Sequence, residues 1–373
     1  MKIGWHPNSK NPRKAGVRLR CLYPMSELKK RGLNIEYYNL KHPKEYQIVI
    51  VDAWSFFVTP KEQANELLNS LKIFNDHGGR LIIDNCDNPF YTQWIPPHWE
   101  QSLNYLRTAL KLANHWVVCS KALEEELINN TTITPKKSTT IIGDPIEPVI
   151  KLQEDSIIKS VLSWRRKLAM LKLINYRYRL LSYIKKGATP IVWYGNHGVQ
   201  FSEGGMSDII SVSAHLEKIH KKYPLVLGII SNNFQKYVEL EKKINVPMLY
   251  LEWDRTTFIS ALKLHKLAII PIKDNPFTHC KSNNRLLFAL YHGLGVIADK
   301  IPSYIEFKNM CKLDNWEEGL KEYINHPEIL EKNLKEAQAY IEKQWMLKNI
   351  ADQWQDVIIS TYKTSKHTKN VIV

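Results

Sequence analysis

The sequence predicts an α/β protein of two parallel-sheet domains, and three observations carry that expectation. At 373 residues the chain is longer than one hydrophobic core usually fills. Short apolar runs, among them QIVIV at 47–51, RLII at 80–83, LVLGII at 225–230 and LAIIPI at 267–272, alternate with longer helical patterns. The runs are apolar without a break, as strands must be when helices cover both faces of a sheet.

Composition narrows the class. Hydrophobic residues make up 44% and charged residues 24%, the balance of an ordinary soluble globular chain. The five cysteines are scattered without a CxxC pair, which argues for reduced thiols and against a disulfide scaffold or zinc ribbon. The opening MKIGWH reads as a strand with no apolar leader, and no apolar run approaches the ~18–20 residues of a membrane span. A cytoplasmic protein is expected, at most peripheral on the inner face of a membrane. The net charge of +15 calls for an anionic partner. Nucleic acid is not expected, because no recognised nucleic-acid module accompanies the charge.

The most informative stretch is LAIIPIKDNPFTHCKSNNRLLFALYHGLGVIADKIPSY, residues 267–304. It reads as a strand, a polar loop over 273–281, a helix to His292 ended by Gly293, and a second strand over 295–298. Ser282 and Asn283 are N-cap residue types. Lys281 precedes them, and Asn284 and Arg285 fill the first turn. The unpaired N–H groups of a helix N-terminus attract anions and repel cations, so basic residues there point to a negatively charged guest, most simply a phosphate.

On Pro271, Phe277, Lys281, Asn284-Arg285, Ala289, Gly293, Val296-Ile297-Ala298 and Tyr304, this stretch resembles the donor-binding segment of GT-B glycosyltransferases, especially bacterial polysaccharide enzymes of the family-4 type. The resemblance implies two Rossmann-like domains facing across a cleft, C-terminal helices crossing back to the first domain, and a segment that holds the diphosphate and sugar of a nucleotide-sugar. Cys280 and Phe288 stand where the commonest family pattern has two glutamates.

Along the rest of the chain, a first strand and a proline-containing loop lead to a helix opened by Gly16-Val17-Arg18-Leu19-Arg20. It lacks GxGxxG, so no nicotinamide cofactor is indicated. By resemblance, Gly16, Arg18 and Arg20 face the cleft. Asp52, Asp84 and Asp87 follow apolar runs, at the carboxyl ends of parallel strands where α/β sites lie; Asp84 and Asp87 are site candidates, and Asp87 is the more readily read as a cap or turn residue. His98 reads as a surface histidine. A Gly-Asp-Pro turn at 143–145 places the first boundary near 148. In the second domain the run PIVWY leads to Gly195-Asn196-His197-Gly198 and Gly204-Gly205, a loop whose backbone can approach phosphate oxygens. Ser231 and Asn232, then Glu252 and Trp253, follow the next two strands, and by resemblance line the base and ribose pocket. The donor domain is expected over 189–345 and a crossing helix with a tail over 346–373.

Between the domains, residues 156–186 hold nine Lys or Arg and no Asp or Glu. Ile157, Val161, Trp164, Leu168 and Leu171 recur at helical spacing, Leu180 and Ile184 extend the pattern, and Tyr176, Tyr178 and Tyr183 are interleaved. A basic amphipathic helix of this kind suits an anionic membrane surface, or packs with a solvated basic face.

The function expected is hexosyl transfer from a nucleotide-sugar to a polysaccharide or lipid-linked glycan in bacterial surface-glycan biosynthesis. Asp84, His197, Lys281 and Arg285 are the catalytic candidates. No further cofactor is expected; with no Asp-x-Asp motif, basic residues would neutralise the leaving phosphate without metal. Retention of anomeric configuration is what the resemblance implies. The alternatives are a nucleotide-sugar epimerase of the same fold and a non-catalytic anion or membrane-surface binder.

Overall fold

The computed structural model describes residues 1–57, 61–91, 97–131, 138–147, 158–198 and 204–368, without the side chains of 61, 138, 158–163 and 364–368. The chain forms two compact units. The first comprises residues to 147 together with 279–283 and 343 onward, and the second 148–278 and 284–342.

The first unit is built on six parallel strands: β1 (Lys2–His6), β2 (Asn34–Tyr37), β3 (Ile48–Asp52), β4 (Arg80–Asn85), β5 (His115–Val118) and β6 (Ser138–Ile141). Their order is β2-β1-β3-β4-β5-β6. Alternation along each strand feeds two cores. Val49, Val51, Leu81 and Ile83 join one core with Leu67, Leu71 and Phe74 from the helix Lys61–Asp76 and Leu106 and Leu110 from Trp99–Leu112. Ile48, Ile50 and Ile82 point the other way, onto Leu28 of Tyr23–Lys30 and onto Ile350, Trp354 and Ile358 of Leu347–Thr368. The helix expected after Gly16 is wound in three pieces, Ala15–Val17, Arg18–Leu22 and Tyr23–Lys30, the middle one with π-type hydrogen bonding.

The second unit repeats the plan with β7 (Thr189–Tyr194), β8 (Leu225–Ser231), β9 (Met248–Glu252), β10 (Leu267–Ile270), β11 (Gly295–Ala298) and β12 (Lys312–Leu313), ordered β12-β11-β10-β7-β8-β9 and parallel throughout. Ile191, Trp193, Leu227, Ile229 and Ile269 fill one face beneath Ile209–His220 and Trp316–Asn325. The chain steps outward from β7 through β8 to β9, then returns to β10 beside β7 and runs the other way. The strand order therefore reverses between β7 and β10.

Three local readings change. β10 stops at Ile270, since Pro271 has no N–H for the ladder. The loop expected over 273–281 contains a helical turn, Pro276–His279, opened by the Asn275 side chain, which accepts from the N–H groups of Phe277 and Thr278. The basic stretch is one helix, Ile158–Ile184, with an arrangement unlike the expected stripe. Its packed residues are Ala169, Leu173, Tyr176 and Leu180, whereas Trp164, Leu168 and Leu171 face solvent. Ile157 and the Val161 side chain fall outside the described residues. Leu180 lies sixteen residues from Trp164 in the chain, which at ~100° per residue is the other side of the helix, so the two belong to separate faces.

Candidate functional site

Open parallel sheets bind ligands beyond the carboxyl ends of their strands where the strand order reverses. In the second sheet that point lies between β7 and β10, and a cavity of about 940 Å³ opens there. Residues after β7 (Gly204, Asp208), β10 (Lys273, Asp274) and β11 (Asp299) line it, with Lys236 at its side.

Gly195 follows β7 directly. A side chain built on it would begin 3.5 Å from the Arg285 guanidinium, so the arginine lies against bare backbone. The Tyr194 hydroxyl donates to the Arg285 carbonyl, holding the first turn of the helix Asn284–Tyr291 against the end of β7. Ser231, wholly buried at the end of β8, donates to the Gly195 carbonyl at 2.8 Å. Asn232 accepts from the His197 backbone at 3.3 Å and pairs with its ring Nδ1 at 2.9 Å. Lys236 donates to the His197 carbonyl at 2.6 Å. Further along, Gly205 takes φ 97°, and a Cβ there would meet the Gly198 nitrogen at 2.6 Å. Only glycine closes the loop this tightly.

The electrostatics are mixed. Burial raises Asp208 above the usual carboxylate range, opposed by the Gly205 backbone donor and then by the Arg285 charge. Burial also raises Asp299, which accepts from Ile272 N–H and Trp316 Nε1. Glu252 and Trp253 follow β9. Glu252 accepts from Tyr250, and Trp253 lies 6.2 Å from Phe258, which stacks on Phe288 at 5.3 Å and 8°. Phe288 thus extends an aromatic row where the commonest pattern has a glutamate. Among the described residues, no group of three or more His, Cys, Asp or Glu could hold a metal ion.

The other expected residues belong to the first unit. Gly16 is exposed with open space around its Cα. Arg18 is buried and forks onto Glu147 at 2.7 and 3.1 Å, while also donating to the carbonyls of Pro12 and Arg13. Arg20 is buried against Asp84, with Asp144 at 3.5 Å. Burial raises Asp84, and the Arg20 charge opposes the shift. Asp52 sits beside Asp84 in strand register, and burial, then the Asp84 charge, push it up to about 7. Lys281 pairs with Asp87 at 2.5 Å, and Ser282 donates to Asp144 at 2.9 Å. Asn283 is buried. His98 takes a left-handed φ of 78° just before Trp99–Leu112.

The structure therefore brings Gly195, Asn196, His197, Ser231, Asn232 and Arg285 together, and places Lys281, Ser282 and Asn283 in the other unit. Asp208, Lys236, Lys273 and Asp299 were missed by the sequence reading. Asp299 stands just past a strand, the signal that singled out Asp84, and could have been found by it.

No protein-family model and no curated protein matches the chain. Solved structures do. The chain is similar to WaaG, a glycosyltransferase involved in lipopolysaccharide biosynthesis, at 13% identity and TM-score 0.58, covering 95% of this chain and 99% of that one. It is similar to a trehalose-6-phosphate structure from E. coli bound with UDP-2-fluoro glucose, at 13% identity and TM-score 0.53, over 97% and 92%. TarM matches at 12% identity and TM-score 0.55 over 84% of this chain, which spans about half of TarM (54%). Two parallel six-stranded α/β sheets, and this likeness over nearly the full chain, give the protein the GT-B fold.

Proposed function

We propose that the chain is a glycosyltransferase that moves a hexosyl group from a nucleotide-diphosphate-sugar to a glycan or lipid-linked acceptor in bacterial surface-glycan assembly. The observation that carries this reading is the Arg285 guanidinium lying against the bare backbone of Gly195, at the reversal point of the second sheet. Such a shelf offers a fixed cation and unobstructed backbone to a diphosphate. The kinds of protein that share the fold, WaaG and the UDP-2-fluoro glucose complex among them, favour a nucleotide-sugar as the guest.

In this reading the bond between sugar and phosphate breaks heterolytically, and negative charge grows on the departing diphosphate. Arg285 binds that charge more strongly as it develops, which lowers the barrier without a divalent ion. Ser231, Asn232 and His197 fix the shape of the Gly195–Gly198 turn. Trp253 and the Phe258–Phe288 pair supply aromatic surface for a nucleobase. Retention at the anomeric carbon belongs to the same proposal. The first unit would present the acceptor.

Calorimetric titration with a panel of nucleoside diphosphates tests the donor half. One of them should bind, and Arg285→Ala should weaken it by roughly 10–100-fold, the scale of a lost charge-assisted hydrogen bond. Equal affinity in wild type and variant would remove the assignment. Conversion of a nucleotide-sugar to its isomer without transfer would turn the reading to an epimerase.

A further inference from the structure

The helix Ile158–Ile184 is apolar on two opposite sides, and among the described residues only one of them is packed. Ala169, Leu173, Tyr176 and Leu180 are buried against the second sheet, where Tyr176 pairs with His265 at 2.8 Å. Trp164 and Leu173 are nine positions apart in the chain, about two and a half turns, so they point in opposite directions. The outward side carries Trp164, Leu168, Leu171, Ile174, Tyr178 and Leu181. Trp164 is 78% exposed and Tyr178 76%. Of the thirteen large apolar side chains most exposed among the described residues, seven lie on this one helix. Scattered apolar residues on a surface need no explanation, but such a concentration does.

Charge says what covers it. Trp164, Leu171 and Tyr178 recur every seven residues along the outer ridge. Arg165, Lys172 and Arg179 recur at the same interval along one flank, and Lys167 stands within the outward arc, seven residues before Ile174. All four basic residues are exposed, and residues 156–186 contain no carboxylate. We infer that this face docks on an anionic lipid bilayer: the apolar ridge enters the headgroup boundary while the basic row along its flank, with Lys167, engages lipid phosphates. A second copy fits poorly, because its own basic row and Lys167 would meet no acid on this face. Nucleic acid would use the basic row but leave the aliphatic ridge in water. No described helix is long and apolar enough to cross a membrane, so the contact is one of lying on the surface. The inference does not depend on the proposed activity.

Flotation of the full chain with vesicles tests it. The protein should rise with vesicles of phosphatidylethanolamine mixed with phosphatidylglycerol, stay behind with phosphatidylcholine alone, and be released progressively by salt. Arg165→Ser with Arg179→Ser should lower partitioning about 25-fold, at roughly fivefold per basic side chain. Leu171→Ser with Tyr178→Ser should lower it by about tenfold or more. Both variants alter solvent-facing positions, so their melting temperatures should match the wild type. Flotation that is absent, indifferent to lipid charge or unchanged in both variants overturns the inference. So does self-association, or retention on DNA or RNA without lipid, that the Leu171/Tyr178 variant abolishes.

Discussion

Asp84 and Arg20 are both buried and paired, and Arg20 also faces Asp144 and donates to the Ile142 carbonyl. The sequence reading singled out Asp84 for its place at the end of a strand; its partner was not legible, because the two are 64 residues apart. Asp84→Ala should cost about 3 kcal/mol of stability, the lower end for breaking a buried pair, because Asp144 and the Ile142 carbonyl still face the guanidinium. A denaturant midpoint equal to that of the wild type would show that the guanidinium finds other partners. Asp52 gives a second test. Its folded-state value of about 7 lies above its ordinary 3.8, so the folded protein holds a proton there that the unfolded chain has released. Stability from this site is present at low pH and declines as pH rises from about 4 through 7. Asp52→Asn should therefore gain on the wild type as pH rises, by on the order of 2–4 kcal/mol between pH 4 and 8. The asparagine oxygen can still accept from the Trp54 N–H that Asp52 now holds at 2.9 Å. A gap independent of pH would mean that the carboxylate is solvated.

The element that ties the long basic helix to its sheet is a missing side chain. Gly228 lies mid-strand in β8, and any Cβ there would run into the Tyr176 hydroxyl and His265 Nε2. Gly228→Ala should force the helix off the strand and break the Tyr176–His265 bond, with a loss of roughly 1–3 kcal/mol. Thermal melting reads this directly, and an unchanged midpoint would mean that the helix is not seated as described. The strands were plain in the sequence because continuous apolar runs mark a sheet buried on both sides, as in 48–51 and 267–270. The helix was harder. Two apolar faces half a turn out of phase give no single stripe, and the brighter one, through Trp164, Leu168 and Leu171, was the outward one. At the shelf, glycines and Arg285 were legible as residue types, whereas Asp208 and Lys236 depend on where the loop folds back.

At the scale of the molecule, the first unit is assembled from three separate pieces of chain. Trp354, from the last helix, lies 4.9 Å from Trp5 in the first strand, and both are almost wholly buried. The short middle piece sets Cys280 into the opposite core, where its carbonyl accepts from Ser120 at 2.8 Å. No single cut can release such a body. A product ending at residue 147 would bare the aliphatic floor under Trp354 and leave a hole where Cys280 belongs. It should collect in inclusion bodies, while the same product mixed with a peptide spanning 343–368 should regain part of its helical signal; a soluble, cooperatively melting 1–147 would refute this. Ribosomal synthesis imposes the same order, for the first sheet emerges early but cannot seal its second face until the final helix has been made.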